Sequence, residues 1–510
     1  MGNPFPGPWD TVHHPWLENM LDCKSELMIG QKAAQMGFTE VALNKCFFAI
    51  DIEGTSVLYV LPASTPDAKD FSTSRFDPAL ENCKHLQMLF TDVKNIHHKR
   101  AGFANLFIRG SRSRSQLKSI PAGLIILDEV DEMNQNNISL VFERVSGQVQ
   151  KQIMMVSTPT IDNAGINYYY KQTTQEHYFF KCPHCSKWTE LVYPDCLVIT
   201  AETLIDTNIV NSHLICKECK GILDHNTKID WLKGKWVPQF EDRLARGFYI
   251  NQMYSMTVRP FELAQSFFRA QKDPADEQEF YNSKLGTTHI VEDAKLNDGL
   301  IEKCKGGYKQ QEYPPPGSFL TIGVDVGKSL HYVVKQWFLK ESITSDINTL
   351  TTCRNLKYGK VDHFEQLDLL VRRYRPAAVV VDANPERRKA YEFACRFPGL
   401  VKLCFYGRGV TGKQINTNED EQTVTVDRTS WMDLTLGRYR AKTIQLPIDL
   451  DAEFIEHLKA PVRIYKKDMD GNPIGKYETG HEADHYAHAD TYAEIALQLG
   501  MCLMRNEDIR

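Results

Sequence analysis

Short apolar runs that end in small or polar residues recur along the first 250 positions. SVLYVLPAS (56–64), LFIRG (106–110), GLIILDEVDEM (123–133) and QIMMVSTPT (152–160) read as buried strands running into loops, since unbroken apolar character marks strands covered on both faces. PDAKDFSTSRFDPALENCKHL, between the first two, reads as helix. This alternation predicts an α/β domain with a mostly parallel sheet. Residues 178–236 break the rhythm with cysteines, aromatics and turn residues, and PFELAQSFFRAQKDPADEQEFYNSKLG (260–286) returns to helical spacing. QEYPPPGSF (311–319) marks a boundary, because three consecutive prolines fit neither a helix nor a central strand. The α/β pattern then restarts with FLTIGVDVG (319–327), AAVVVDANPE (377–386) and LVKLCFYG (400–407), and closes on a helix, DHYAHADTYAEIALQLGMCLM (484–504). Two α/β domains are expected.

Length agrees, since 510 residues exceed what one core usually serves. A composition of 42% hydrophobic and 25% charged residues is that of an ordinary globular protein. No apolar run approaches the ~18 residues that span a bilayer, and the start lacks the basic end and apolar stretch of a signal peptide. Thirteen cysteines, an odd number, fit thiols in a reducing compartment better than a disulfide framework. A net charge of −5 leaves any nucleic-acid contact to local basic surface.

Three constellations carry chemistry. In LIILDE (124–129) an apolar strand ends in two acids. Asp128 is placed to hold Mg²⁺ beside nucleotide phosphates, and Glu129 to polarise an attacking water. Upstream, the phosphate-loop pattern G-x-x-x-x-G-K-[ST] laid over Lys32–Thr39 finds Gly37 and Thr39 in place, Phe38 where the lysine belongs and Lys32 where the first glycine belongs. Gly37 allows close backbone approach to phosphate, Thr39 offers a hydroxyl to Mg²⁺, Gln35 lies within the loop, and Lys32 reaches the phosphates if the loop folds back. Ser157 and Thr158 in STPT (157–160), at the end of the next strand, are placed to sense the γ-phosphate, although turn chemistry also explains them. Arg144 follows the acids as an arginine-finger candidate, although a solvated helix arginine reads the same way.

The second constellation is CPHC (182–185) with CKEC (216–219), a C-x₂-C-x₃₀-C-x₂-C spacing. Cys182, Cys185, Cys216 and Cys219 predict a closed, structural Zn²⁺ site of ribbon type. The third is a set of carboxylates: Asp325 on a glycine-flanked strand, Asp382 at the end of a second, and Asp484 and Asp490 among His481, His485 and His488. Strand-end acids from distant segments repel one another unless cations sit between them. Two Mg²⁺ or Mn²⁺ ions would satisfy them and cleave phosphodiesters, as in a ribonuclease H-like nuclease. Six residues apart on one helix, Asp484 and Asp490 face different ways; Asp484, beside His485, is the preferred ligand.

Together these segments resemble the large terminase subunits of tailed bacteriophages, in the lambda-type GpA branch. The resemblance runs from PGPWDTVHHPWLENMLD through KAAQMGFTE, RGSRSRSQLKSIPAGLIILDEVDEM, STPT, CPHC, GFYINQMYS and FYNSKLG to GVDVG, VDANPE and DHYAHA. It implies an α/β fold: a P-loop (ASCE-type) ATPase core over 1–177, a zinc-ribbon-like insertion over 178–236, a helical end of the ATPase region over 237–310, and an RNase H-like nuclease over 311–510. In that family the loop lysine stands at the start. The resemblance therefore makes Lys32, Gly37 and Thr39 the ATP-phosphate residues, Asp128 the Mg²⁺ ligand, Glu129 the catalytic carboxylate, and Asp325, Asp382 and Asp484 the nuclease ligands. It further implies ATP-driven translocation of double-stranded DNA into a procapsid, cutting of concatemeric DNA, a portal protein and a small terminase subunit as partners, a homo-oligomeric ring, and the host cytoplasm. The short segment before the loop implies that a separate small-subunit-binding region is absent. Two rivals use part of the set: a non-packaging DNA translocase or helicase has no use for the three carboxylates, and a zinc-containing RNase H-like recombinase needs neither LIILDE nor STPT.

Overall fold

A computed structural model of the chain describes residues 7, 9–91, 93–118, 120–339, 348, 351–407, 409–467 and 473–507; Pro6 and Pro8 of the opening motif lie outside them. The chain divides into two compact units, Met1–Val291 and Glu292 onward, with Lys466–Pro473 grouped with the first. Among the described residues no helix is long and apolar enough to cross a membrane.

The first unit is built on strands β1 (Leu27–Lys32), β2 (Val57–Leu61), β3 (Val93–Lys94), β4 (His98–Ala101), β5 (Ala104–Gly110), β6 (Leu124–Asp128), β7 (Gln152–Ser157), β8 (Glu176–Lys181), β9 (Trp188–Thr189), β10 (Leu197–Val198), β11 (His213–Ile215), β12 (Ile222–Leu223), β13 (Gly234–Val237) and β14 (Arg246–Ile250). The main sheet has the order β13-β8-β14-β1-β7-β6-β2-β5-β4-β3. From β8 to β5 neighbouring strands are parallel, and the edges turn antiparallel. β7 lies between β1 and β6, as an ASCE-type ATPase requires. Successive residues alternate between two cores: Met28, Tyr59, Ile126 and Met154 enter one, and Ile29, Leu58, Ile125 and Met155 the other. Period-two side chains covered on both faces explain why β2 and β6 carry no charged residue before Asp128. β8 and β13 flank the cysteine-bearing segment and belong to this sheet, while β10-β11-β12 form a small sheet of their own within it.

The second unit carries β15 (Phe319–Val326), β16 (Leu330–Phe338), β17 (Thr352–Val361), β18 (Ala378–Asp382), β19 (Val401–Tyr406), β20 (Ile415–Asn418), β21 (Thr423–Val426) and β22 (Ile444–Gln445), in the order β20-β21-β19-β18-β15-β16-β17-β22. β15, β16 and β17 are antiparallel, and β18 and β19 continue parallel to β15, an RNase H-like arrangement. The helices Phe364–Tyr374 and Arg387–Arg396 cover one face. His485–Glu507 crosses the other. A Cβ on Gly323 of β15 would stand 2.0 Å from the carbonyl oxygen of Ala489, so this glycine lets the helix approach the strand that bears Asp325.

Candidate active sites and metal centre

In the first unit three strand ends converge, at the carboxyl edge where α/β sheets bind ligands. β1 ends at Lys32, and residues 33–37 turn into the helix Phe38–Asp51. Gln35 (φ 60°) and Gly37 (φ 81°) are left-handed, and a Cβ on Gly37 would lie 2.8 Å from Leu17 Cδ1, so glycine is required there. Distant segments hold the loop. Ala33 N donates to Ile250 O (2.9 Å) and Ala34 N to Ser283 O (2.8 Å), while Trp16 Nε1 donates to Met36 O (2.9 Å). Phe38, at the position of the usual lysine, is fully buried, and its ring fills the space a Cβ on Gly30 would need.

Lys32 is 4% exposed, with its ammonium 3.2 Å from Glu129 Oε1. Thr39 Oγ1 (3.1 Å) and Tyr59 OH (2.7 Å) both donate to Asp128 Oδ2. Asp128 Oδ1 is buried with no hydrogen-bond partner among the described residues. Burial, reinforced by the Glu129 charge, pushes the Asp128 carboxyl above its ordinary range, against the pull of Lys32. Glu129 is left-handed (φ 63°), a strained setting for a residue with a side chain.

At the end of β7, Ser157 Oγ accepts from Asp131 N (3.1 Å) and donates to Thr158 O (3.1 Å). Asp131, which carries no motif signal in the sequence, ties the region together: its carboxylate accepts from Thr160 N (3.0 Å) and Ile166 N (2.8 Å). Burial nevertheless pushes it up to about 7. Lys32, Thr39, Asp128 and Glu129 are thus in direct contact, and Ser157 lies one strand away, opposite Gln31. Arg144 is not drawn into this group; its Nε donates to Leu140 O of its own helical segment (3.2 Å).

The four cysteines come together as the one set, among the described residues, whose ligand atoms all lie within 4.8 Å of one another. The two knuckles share one construction. Ser186 N donates to Cys182 O and Lys220 N to Cys216 O, each at 2.9 Å, and both donors are left-handed (φ 58° and 59°). All four thiols are free. Neighbouring N–H groups help lower the Cys216 thiol to about 7, although burial opposes this. Two further ligand-type residues of this segment, Cys196 and His184, contact the backbone carbonyls of Glu190 and Ile222.

In the second unit β15 and β18 are parallel neighbours, with Val324 opposite Val381, which sets Asp325 beside Asp382. Burial first, then the nearby Asp325 charge, push the Asp382 carboxyl up to about 6, although Asn384 N donates to it (3.1 Å). Asp484 immediately precedes the helix His485–Glu507. His485 Nδ1 lies 2.8 Å from Asp325 Oδ2, and His488 Nε2 3.1 Å from Asp484 Oδ2. The Asp325 hydrogen bond raises the His485 pKa, and His488 and Arg428 hold Asp484 low despite its burial. His331, opposite Asp325 in the β15–β16 pairing, stacks on His485 at 4.5 Å.

Asp490 corrects the expectation of a second candidate ligand. It is fully buried, 3.2 Å from Lys335 Nζ, and accepts from Asn355 Nδ2 (3.2 Å) and Tyr439 OH (2.9 Å). Its neighbours Glu494 and Arg438 complete a buried ionic network. The helical phase that separates the two aspartates sends Asp484 to the cluster and Asp490 into the core.

Two family models and several solved structures match this chain. The family model for the ATPase domain of phage terminase large subunit gpA matches residues 3–236, and that for the gpA endonuclease domain matches residues 245–501. Among solved structures, the large terminase of bacteriophage HK97 is 11% identical with a TM-score of 0.51, covering 97% of this chain and 95% of that one. A large terminase from a thermophilic bacteriophage, in its second crystal form, is 12% identical (TM-score 0.33, covering 94% and 96%). The large terminase nuclease of thermophilic phage G20c, with bound magnesium, is 15% identical (TM-score 0.24, covering 38% and 94%). No curated protein matches. At such identity the HK97 likeness speaks for a shared fold, and the two family models, which together take in most of the sequence, speak for descent: the chain belongs to the phage terminase large subunit gpA family, with an ATPase domain followed by an endonuclease domain.

Proposed function

We propose that this subunit drives double-stranded DNA into a procapsid by ATP hydrolysis at the β1–β6–β7 edge and cuts concatemeric DNA at the β15–β18 cluster. The observation that carries the reading is the buried Asp128, whose Oδ2 is held by Thr39 and Tyr59 while Oδ1 is left without a partner among the described residues. An orphaned buried carboxylate oxygen beside a phosphate-type loop is a fitting ligand for Mg²⁺. The ion would neutralise charge on the nucleotide phosphates.

The chain's own residues supply the rest. Gly37 lets the backbone approach phosphate, with Gln35 shaping the turn. Lys32 rests on Glu129 at 3.2 Å; an incoming β/γ-phosphate competes for that ammonium and releases Glu129 to orient a water. Ser157, bonded to Thr158 O and to Asp131 N, carries the change at the γ-phosphate position, with Thr158 beside it, through Asp131 towards the helix Gly165–Tyr170. Arg144, bonded within its own helical segment, would act as a finger only on a neighbouring copy's nucleotide. In the nuclease, Asp325, Asp382 and Asp484 fit Mg²⁺ or Mn²⁺, because Asp382 is raised by burial and by the negative charge of Asp325 beside it; the ions would activate the attacking water. Cys182, Cys185, Cys216 and Cys219 fit one structural Zn²⁺.

A portal protein, a small terminase subunit, a homo-oligomeric ring and a site of action in the host cytoplasm follow as expectations from family membership. A non-packaging helicase and a zinc-containing recombinase are not favoured, since both gpA domains match in one chain. Separating the two activities tests the reading. Glu129→Gln should lose DNA-stimulated ATP hydrolysis and keep Mn²⁺-dependent plasmid cutting. Asp325→Asn should do the reverse. If Asp325→Asn and Asp382→Asn both left cutting intact, the nuclease assignment would fail.

A further inference from the structure

The outer face of the β13–β8–β9 corner carries a basic and aromatic surface that neither active site uses. Trp188 lies opposite Lys181 in the β8–β9 pairing, and Lys235 opposite Phe179 in the β8–β13 pairing. Residues two apart on a strand share a face, so Phe179 and Lys181 point the same way. Trp188 is 43% exposed, and two ammonium groups stand near its ring, Lys235 Nζ 4.7 Å and Lys181 Nζ 5.7 Å from the centroid. The first cysteine knuckle anchors the group: Cys182 N donates to Lys187 O (2.9 Å), which ties the residue before Trp188 to the residue after Lys181. The acid built into this face, Glu190, is already bound by Lys217 (2.9 Å) and His177 (2.8 Å). Among the described residues, Lys181 and Lys235 have no carboxylate within ion-pair distance.

Unpaired lysines around an exposed indole, held by a rigid turn, match the chemistry of a single-stranded nucleic acid, which offers phosphates to the cations and an unstacked base to the ring. A duplex hides its base faces and would use the lysines alone. We propose that this corner binds an unpaired DNA strand, with phosphates on Lys181 and Lys235 and a base stacked on Trp188. The proposal rests on the reading of the chain as a DNA-handling terminase subunit and adds a contact outside both active sites.

The test is fluorescence anisotropy of the full chain with a short labelled DNA strand and with the duplex of the same sequence. Trp188→Ala should weaken single-strand binding roughly 5- to 150-fold, the effect of losing one stacked base, and duplex binding less than about threefold. Trp188→Phe, which keeps a ring, should bind like the wild type. Lys181→Glu with Lys235→Glu should cut the salt dependence of single-strand binding by a slope of about 1.4, for two phosphate contacts at ~0.7 each. ATP hydrolysis without DNA should be unchanged in every variant, which checks the fold. Wild-type binding that survives both the Ala and the double Glu substitutions, or a duplex loss as large as the single-strand loss, overturns this proposal alone. A wild-type chain that binds neither DNA form overturns it together with the DNA-handling reading.

Discussion

Neutralising Asp490 separates architecture from chemistry in the nuclease unit. Asp490, Glu494, Lys335 and Arg438 are 0–3% exposed, with Lys335 Nζ 3.2 Å from Asp490 and 3.3 Å from Glu494, and Arg438 2.7 Å from Glu494. Two cations thus face two anions. Asp490→Asn keeps the volume but leaves both cations to Glu494, a net buried positive charge. Breaking a buried pair by removing one partner costs about 3–5 kcal/mol. For a unit of this size each kcal/mol moves Tm by roughly 2–4 °C, so the transition should fall by roughly 6–20 °C. Calorimetry reads the shift, and plasmid cutting is assayed well below the lowered Tm, where activity should stay within about threefold of wild type. Asp484→Asn should give the mirror image, an almost unmoved Tm and cutting reduced more than about 100-fold. An Asp490→Asn chain with wild-type Tm and no cutting would refute the assignment of Asp490 to the core.

Two further outcomes follow from the first unit. The purified chain should contain one zinc per copy by atomic absorption, and Cys182→Ser with Cys216→Ser should carry none and melt earlier; a wild-type chain free of zinc would remove the metal from the account. Asp131 has a folded pKa above its ordinary value, so the stability it contributes is present at low pH and is lost as pH rises towards about 7. The Tm advantage of wild type over Asp131→Asn should therefore shrink between about pH 4 and pH 7; an advantage that grows would mean that the Thr160 and Ile166 N–H groups outweigh burial.

Much of this architecture was legible in the sequence because strand-end acids after unbroken apolar runs leave a one-dimensional signature. Asp128, Asp325 and Asp382 all sit where such runs stop, and the cysteines announce themselves by paired spacing. What stayed hidden depends on contacts between distant segments. β1 carries no such signature, since Gly30, Gln31 and Lys32 interrupt its apolar run and find their partners in distant segments, among them Phe38, Gly286 and Glu129. β16 was missed for the same reason: Lys335 interrupts a buried strand and makes sense only beside Asp490 and Glu494. Tyr59 and Trp16 look like ordinary core aromatics until their polar ends meet Asp128 and the Met36 carbonyl. The choice between Asp484 and Asp490 needed the helix to be set against Gly323; periodicity says that they face apart, not which one faces the cluster.

The central claim is that the phosphate-binding lysine stands at the start of its loop, at Lys32, and not at the position of Phe38. Steady-state ATP hydrolysis of Lys32→Ala and of Lys32→Ala with Phe38→Lys decides it. Loss of a preorganised charge on the transferred phosphoryl group should reduce kcat by roughly 100-fold or more. The second substitution should not restore it, because Phe38 is fully buried and points into the core. Hydrolysis that persists in Lys32→Ala, or returns with a lysine at position 38, would contradict the account.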